Sequence, residues 1–202
     1  SFDVEPVKSK TFEAVWLLSR ASHNTAVTIF HNDVKNTIAR VFDPALDASR
    51  FQNAGDLNSY GIELDANIAF WQFWQLRLTY SKLFNNESTL YVASKPEDFT
   101  AKETGSLQIN FNRGNWSWNL NGYIRGPAKV LEHQGTISVF NTKLLYQYGD
   151  NLSFSFNVKN IFNKRYDSIV TARGLGQDEA GNLVRAVPRP QRWAYFDLRY
   201  QF

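Results

Sequence analysis

Leu152 to Asn160, LSFSFNVKN, is the stretch whose reading decides the fold. Successive side chains of a β-strand point to opposite faces. Leu152, Phe154, Phe156 and Val158 therefore share one side, and Ser153, Ser155, Asn157 and Lys159 the other. A helix would scatter the same residues around its circumference. The end of the chain repeats the pattern, with Phe196, Leu198, Tyr200 and Phe202 alternating with Asp197, Arg199 and Gln201. Alternation alone leaves open whether the apolar side meets a protein core or lipid.

Working outward, alternating segments recur at 9–20, 24–42, 51–70, 75–86, 100–113, 115–128, 135–148, 151–169 and 190–202. Each is near or above the roughly 9–11 residues a tilted strand needs to cross a bilayer. None shows helical periodicity. The connections near Ala21 to His23, Trp71 to Trp74, Gly114 to Asn115 and Gly149 to Asn151 are short, and those around 43–50, 87–99, 129–134 and 170–189 are longer. In an up-and-down meander this alternation puts every tight turn at one end and every long loop at the other, the asymmetry of outer-membrane barrels. Aromatic residues gather beside the short turns: Phe70, Trp71, Phe73 and Trp74, then Trp116 and Trp118, then Tyr146 and Tyr148, and finally Tyr200 and Phe202. Amphipathic rings favour a membrane interface, so Trp71, Trp74, Trp116, Trp118, Tyr146, Tyr200 and Phe202 are expected as a lipid-facing girdle.

Composition agrees with an all-β chain. Of 202 residues, 15% are aromatic, and Cys and Met are both absent, so neither disulfides nor thiolate metal sites are available. No run approaches the roughly 20 apolar residues of a membrane helix. The mean hydropathy of -0.40 is no obstacle to a barrel, whose strands mix lipid-facing and polar residues. The net charge of +3 is scattered among acids, which argues against nucleic acid as a partner. The chain opens with SFDVEPVKSK in place of a signal sequence, so either a leader was removed or this is an internal piece of a longer polypeptide.

Catalytic motifs are missing. There is no G-x-S-x-G, no H-x-x-x-H and no H-E-x-x-H, and His23, His31 and His133 fall at a predicted turn, on a strand and in a loop. We therefore expect no enzyme, no metal site and no cofactor. Strand alternation instead places Glu13, Glu63, Asp65, Arg77, Asn119, Arg125 and Lys143 on the face opposite the apolar one, where a barrel has its lumen. In the loops, His133 lies beside Lys129 and Glu132 in KVLEHQG, and Val170 to Gln191 carries Arg173, Arg185 and Arg189 against Asp178 and Glu179. Arginines there suit either an anionic ligand or lipopolysaccharide phosphates.

Four strings carry a family resemblance. NVKNIFNKRYDS from Asn157 to Ser168 resembles the next-to-last strand of TonB-dependent outer-membrane receptors, with its V-x-N-[LI]-F-[DN]-K-x-Y pattern. PRPQRWAYFDLRYQF from Pro188 to Phe202 resembles their closing strand. FQNAGDLNSYGIELDAN from Phe51 to Asn67 is similar to the N-x-G…G-x-E-x-E strand, with Asp65 for the second Glu. EPVKSKTFEA from Glu5 to Ala14 resembles L-x-P-E-x-S-x-x-x-E, with Val7 where Glu is usual. Any one is weak, but all four stand in the family's order.

The resemblance implies a receptor in the bacterial outer membrane that takes up a scarce nutrient complex, such as a ferric siderophore, haem or a cobalamin, with energy relayed by TonB. His133 then becomes a candidate haem ligand, and Lys129, Arg173 and Arg185 candidate ligand contacts. Such barrels have about 22 strands around a plug. The expected fold is thus an antiparallel up-and-down transmembrane β-barrel fragment: residues 1–202 would be about nine C-terminal strands, without plug or N-terminal strands. The expected partners are outer-membrane lipid and lipopolysaccharide, the plug and remaining strands, TonB and the nutrient ligand. A passive porin or adhesion barrel, and a soluble β-rich binding module, are the competing readings.

Overall fold

The computed structural model describes residues 4–43, 47–89, 100–129, 135–170 and 185–202. Eleven strands follow in chain order: β1 Lys8–Arg20, β2 His23–Asp43, β3 Ala48–Phe70, β4 Trp74–Ser88, β5 Glu103–Arg113, β6 Trp116–Arg125, β7 Ile137–Tyr148, β8 Leu152–Lys159, β9 Asp167–Val170, β10 Arg185–Pro188 and β11 Trp193–Tyr200. Nine form one sheet in the order β1-β2-β3-β4-β5-β6-β7-β8-β11, every neighbouring pair antiparallel, and β9 with β10 makes a separate hairpin. No α-helix occurs among the described residues. The chain is all-β.

Register turns the alternation of each strand into two continuous faces. Trp74, Phe111, Trp118, Leu144, Phe156 and Phe196 pair in sequence across β4 to β11 as one apolar row. One residue along β4, the row through Gln75, Asn110, Asn119, Lys143, Asn157 and Tyr195 is mostly polar. A slip of one residue in any strand would exchange its faces, so the whole pattern specifies register. Among the described residues nothing covers the apolar face there: Phe156 is 49% exposed, and Phe196 and Leu198 are each 60% exposed. The buried hydrophobics among the described residues are only Ala54, Ala66, Ala128, Ile137 and Val139. That is a single layer, not a sandwich packed around a core.

The ends differ as the connections required, with one correction. The short links 21–22, 71–73, 114–115 and 149–151 all lie at one end, and 89–102, 126–136 and 160–192 at the other. The link between β2 and β3, expected at 43–50 as a longer loop, is reduced to 44–47, because both strands keep pairing out to Asp43 and Ala48. At four residues it still exceeds the two- and three-residue links on either side, so short and long links alternate, but narrowly there. A long two-stranded arm stands where a loop was expected.

That arm is jointed at its root. The register shifts between Val34 and Thr37, where Asn36 has φ 59° and Gly55 φ 130°. The bulge is held by polar groups: the Asn36 amide donates to Asp56 Oδ1 at 3.1 Å, Lys35 Nζ reaches Asp56 Oδ2 at 3.2 Å, and Asn36 Nδ2 donates to Glu5 Oε2 at 2.8 Å. Asp56 stands 14 residues before Phe70 at the short-link end of β3, farther than the roughly 9–11 residues with which a tilted strand crosses a bilayer. Hydrogen bonding from the Asn36 amide, then from Lys35, holds the Asp56 carboxyl below its usual range. Its contribution is present while it is ionised and is lost only as pH falls through that lowered value.

Two further expectations shift. The eighth segment, 151–169, is not one strand: β8 stops at Lys159, and Asn160 (φ 51°) and Asn163 (φ 53°) turn the chain in left-handed conformations that Asn tolerates. The expected loop 170–189 contains β10, paired back onto β9. His23, expected in a turn, opens β2.

Gly122 shows how tightly the apolar face is fitted. The Phe140 ring lies over it, so a Cβ at 122 would run into the ring. Phe140 in turn meets Phe162 edge-on, centroids 5.6 Å apart. Gly122→Val should displace both rings and lower stability by about 1–3 kcal/mol, read as a lower urea midpoint of the folded barrel. An unchanged midpoint would show that the ring moves freely.

Candidate functional site

Glu13, Glu63, Asp65, Arg77, Asn119, Arg125 and Lys143 stand on one face, the polar one, as cross-strand pairs such as Glu13 with Phe30, Glu63 with Thr28 and Asn119 with Lys143 require. Asp65 and Arg77 approach to 3.9 Å, but both are more than half exposed, so the pair adds little stability. At the β8–β11 side the Asp197 carboxylate accepts from Ser155 Oγ at 3.1 Å and from Asn157 Nδ2 at 3.0 Å. Lys143 and Arg199 line the same shallow depression.

The centre of this face is an amide ladder. Gln108 Nε2 donates to Asn110 Oδ1 (3.3 Å), as does Asn119 Nδ2 (2.6 Å). Asn121 Nδ2 then donates to Asn119 Oδ1 (2.7 Å), Asn141 Nδ2 to Asn121 Oδ1 (3.1 Å), and the Asn160 amide to Asn141 Oδ1 (3.0 Å). The ladder runs from mid-sheet to the root of the longest connection. There Asn160 Nδ2 donates to the carbonyls of Lys164 and Pro190 at 2.9 and 3.3 Å, and Oδ1 accepts from the Lys164 amide at 2.9 Å. Reading of the sequence singled out only Asn119 from it. The missed signal was Asn at alternate positions in successive strands, at 119 and 121 and at 141.

The loop residues are less gathered. Lys129 follows β6 and lines an open crevice with Lys82, Lys102, Glu103 and Pro127. Lys82 Nζ and Glu103 Oε1 are 2.7 Å apart. Arg185 opens β10, opposite Val170. His133 and Arg173 lie outside the described residues. Groups of three or more acidic, histidine or cysteine side chains able to hold a metal are absent among the described residues.

The aromatic residues cluster at the short-link end. Trp74 stacks with Phe70 at 6.0 Å, meets Phe111 at 4.8 Å and meets Trp118 edge-on at 5.9 Å. Trp116 contacts Tyr146 at 4.5 Å, and Tyr200 contacts Phe202 at 5.0 Å. Trp71 sits in the turn itself, 82% exposed.

An antiparallel meander with one open apolar face, one polar face and an aromatic rim at its tight-turn end is the wall of a membrane β-barrel. A family model described as "TonB dependent receptor-like, beta-barrel" matches residues 2–161, and the chain belongs to that family. No curated protein sequence matches it. Among solved structures, the chain is similar to the ferric yersiniabactin uptake receptor FyuA of Yersinia pestis, at 19% identity and TM-score 0.71, covering 97% of this chain and 30% of that one. The ferripyoverdine receptor of Pseudomonas aeruginosa, bound to ferripyoverdine, shares 17% identity at TM-score 0.70, with 98% and 28% covered. The FrpB iron transporter of Neisseria meningitidis shares 14% at TM-score 0.70, with 99% and 32% covered. At these identities the likeness carries the fold, and the chain spans about a third of those proteins' length. The family and these neighbours are receptors and transporters rather than enzymes.

Proposed function

We propose that this chain forms part of the wall of a bacterial outer-membrane receptor that imports a scarce nutrient complex of the ferric siderophore, haem or cobalamin class, using energy delivered through TonB. One observation carries the reading: nine paired strands present an open apolar face on one side and a continuous polar face on the other. The apolar face meets lipid, the rim at Trp74, Trp116 and Trp118 sits at the headgroups, and the outer leaflet supplies lipopolysaccharide as a neighbour. The polar face, from Glu13 to Lys143, lines the lumen and meets a plug. His133, Lys129, Arg173 and Arg185 contact the ligand from the outer loops.

The margins support this. Among the described residues β1 and β11 each pair on one side only. In hydrocarbon every unpaired backbone group costs several kcal/mol, so further strands of the same barrel must flank both. Residues 1–202 are then the C-terminal portion of that barrel. Two of the similar proteins are receptors for ferric yersiniabactin and ferripyoverdine, which favours ferric complexes as cargo.

The test is growth. A strain lacking this receptor, offered single sources of ferric siderophores, haem or cobalamin, should lose uptake of one, restored by the full-length gene and only with TonB present. Unimpaired uptake of all of them, together with steady ion conductance by the purified full-length protein, would replace this reading with a passive pore.

A further inference from the structure

On the open apolar face, the corner made by β1, β2 and β3 at the long-link end carries both a hollow and a charge. Leu78 pairs with Ala66, Ala66 with Thr25 and Thr25 with Leu18, so Leu18, Trp16, Ala14, Phe12, Lys10 and Lys8 take that side of β1. Phe12 stands eight residues before Arg20 at the short-link end of the strand, and Lys10 and Lys8 stand ten and twelve before it. A tilted strand crosses hydrocarbon in roughly 9–11 residues, so lysines replace apolar side chains where headgroups begin.

Just inside that line the face is hollowed. A crevice of about 410 Å³ is lined by Phe12, Ile29, His31, Tyr60, Ile62 and Phe84. Phe12 is 67% exposed and Ile29 56%, so its walls are uncovered by protein. Tyr60 meets Phe84 at 6.2 Å and His31 edge-on at 6.3 Å. The outer end of the crevice is polar: Asn58 Nδ2 lies 2.9 Å from His31 Nε2, and Asn85 Nδ2 donates to Asn58 Oδ1 at 3.2 Å.

Beyond the crevice the charges do not balance. Register sets Lys8 directly opposite Lys35, and like charges so placed repel. Asp33 and Asp56 hold Lys35, at 3.3 and 3.2 Å, and Asn36 Nδ2 engages Glu5. Lys8 and Lys10 make no ion pair among the described residues. Glu87, on the same side opposite Asn58, is three strand spacings from Lys10, roughly 14 Å. Across β4 and β5 this side carries a closed Lys82–Glu103 pair at 2.7 Å instead, so the unanswered cations are local to β1.

We propose that this corner holds one molecule of lipopolysaccharide, with an acyl chain in the crevice and a phosphate on Lys8 and Lys10. An apolar hollow directly beneath paired cations fits an amphiphile with a phosphorylated head and a hydrocarbon tail. The proposal rests on the outer-membrane reading and deepens it by giving one lipid a fixed place on the wall.

Purified lipopolysaccharide carrying a fluorescent label is the probe. Titrated into delipidated full-length receptor in detergent, it should bind saturably at one equivalent, and more weakly as salt rises. Lys8→Gln with Lys10→Gln should weaken binding by about thirtyfold, and arginine at both positions should restore it. Phe12→Ala should weaken it about fivefold. Lys159→Gln, a lysine on the polar face of β8, should change nothing. The same lipid stripped of its phosphates should lose about as much affinity as the glutamine pair. Absence of saturable binding, equal binding by the glutamine pair, or displacement by an equal concentration of inorganic phosphate would each overturn the site. Lysine-dependent binding by a receptor that imports nothing would uphold it while removing the uptake reading. Unimpaired uptake without saturable lipid binding would overturn it and leave uptake standing.

Discussion

Replacing Asn160 with Ala should destabilise the receptor by roughly 2–4 kcal/mol, the largest loss expected from any single polar side chain here. Asn160 is 4% exposed and holds three backbone groups, the Lys164 amide and the carbonyls of Lys164 and Pro190, through its side chain. Alanine would leave those groups without their partner, and would also sit at φ 51°, which Asn tolerates better than Ala. Asn160→Gly separates the two causes, since it relieves the backbone but restores no hydrogen bond. Its loss should therefore remain most of that seen with Ala. Urea unfolding of the full-length protein provides the measurement, and a loss below about 0.5 kcal/mol for Ala would show that water replaces these bonds.

The two-residue period of LSFSFNVKN and FDLRYQF was enough to assign strands, their faces and the seven polar-face residues, because a side chain's face follows from its own position. What escaped depends on pairs far apart. Asn36 and Gly55 fall inside segments expected as strands, yet the bulge between them, with Gly55 opposite Thr37, and the pairing that continues out to Asp43 and Ala48 are properties of two strands together, so a loop was expected at 43–50 where an arm stands. The amide ladder joins residues such as Asn121 and Asn141, a juxtaposition that requires register. The NIFNKRY string was visible as a family signature. Its physical role, a left-handed Asn closing β8 and pinning the following chain, emerged only when its hydrogen bonds were known.

The strongest test of the lipid-facing assignment uses two neighbouring residues. Leu78 pairs with Ala66 and Leu107 on the apolar face, whereas Thr79 pairs with Asp65 and Ser106 on the polar one. An arginine facing hydrocarbon near the bilayer midplane of a barrel costs about 2–4 kcal/mol. Leu78→Arg should therefore lose an amount of that order in folding into lipid vesicles. Thr79→Arg gives up one 2.7 Å hydroxyl contact with Ser106 and places its cation beside Asp65 in water, so it should lose less than about 1 kcal/mol. Folding equilibria of the two full-length variants into phospholipid vesicles, followed by heat-modifiable mobility on gels, measure the difference directly. Vesicles of thinner lipid should shrink the Leu78→Arg penalty, because the guanidinium then reaches headgroups sooner, and should leave Thr79→Arg unaffected. Equal losses at 78 and 79, or a greater loss at 79, would mean that the open apolar face is covered by protein and not by lipid. The barrel, the lumen and the transport reading would then all have to be abandoned together, since each requires hydrocarbon on the side of Leu78 and water on the side of Thr79.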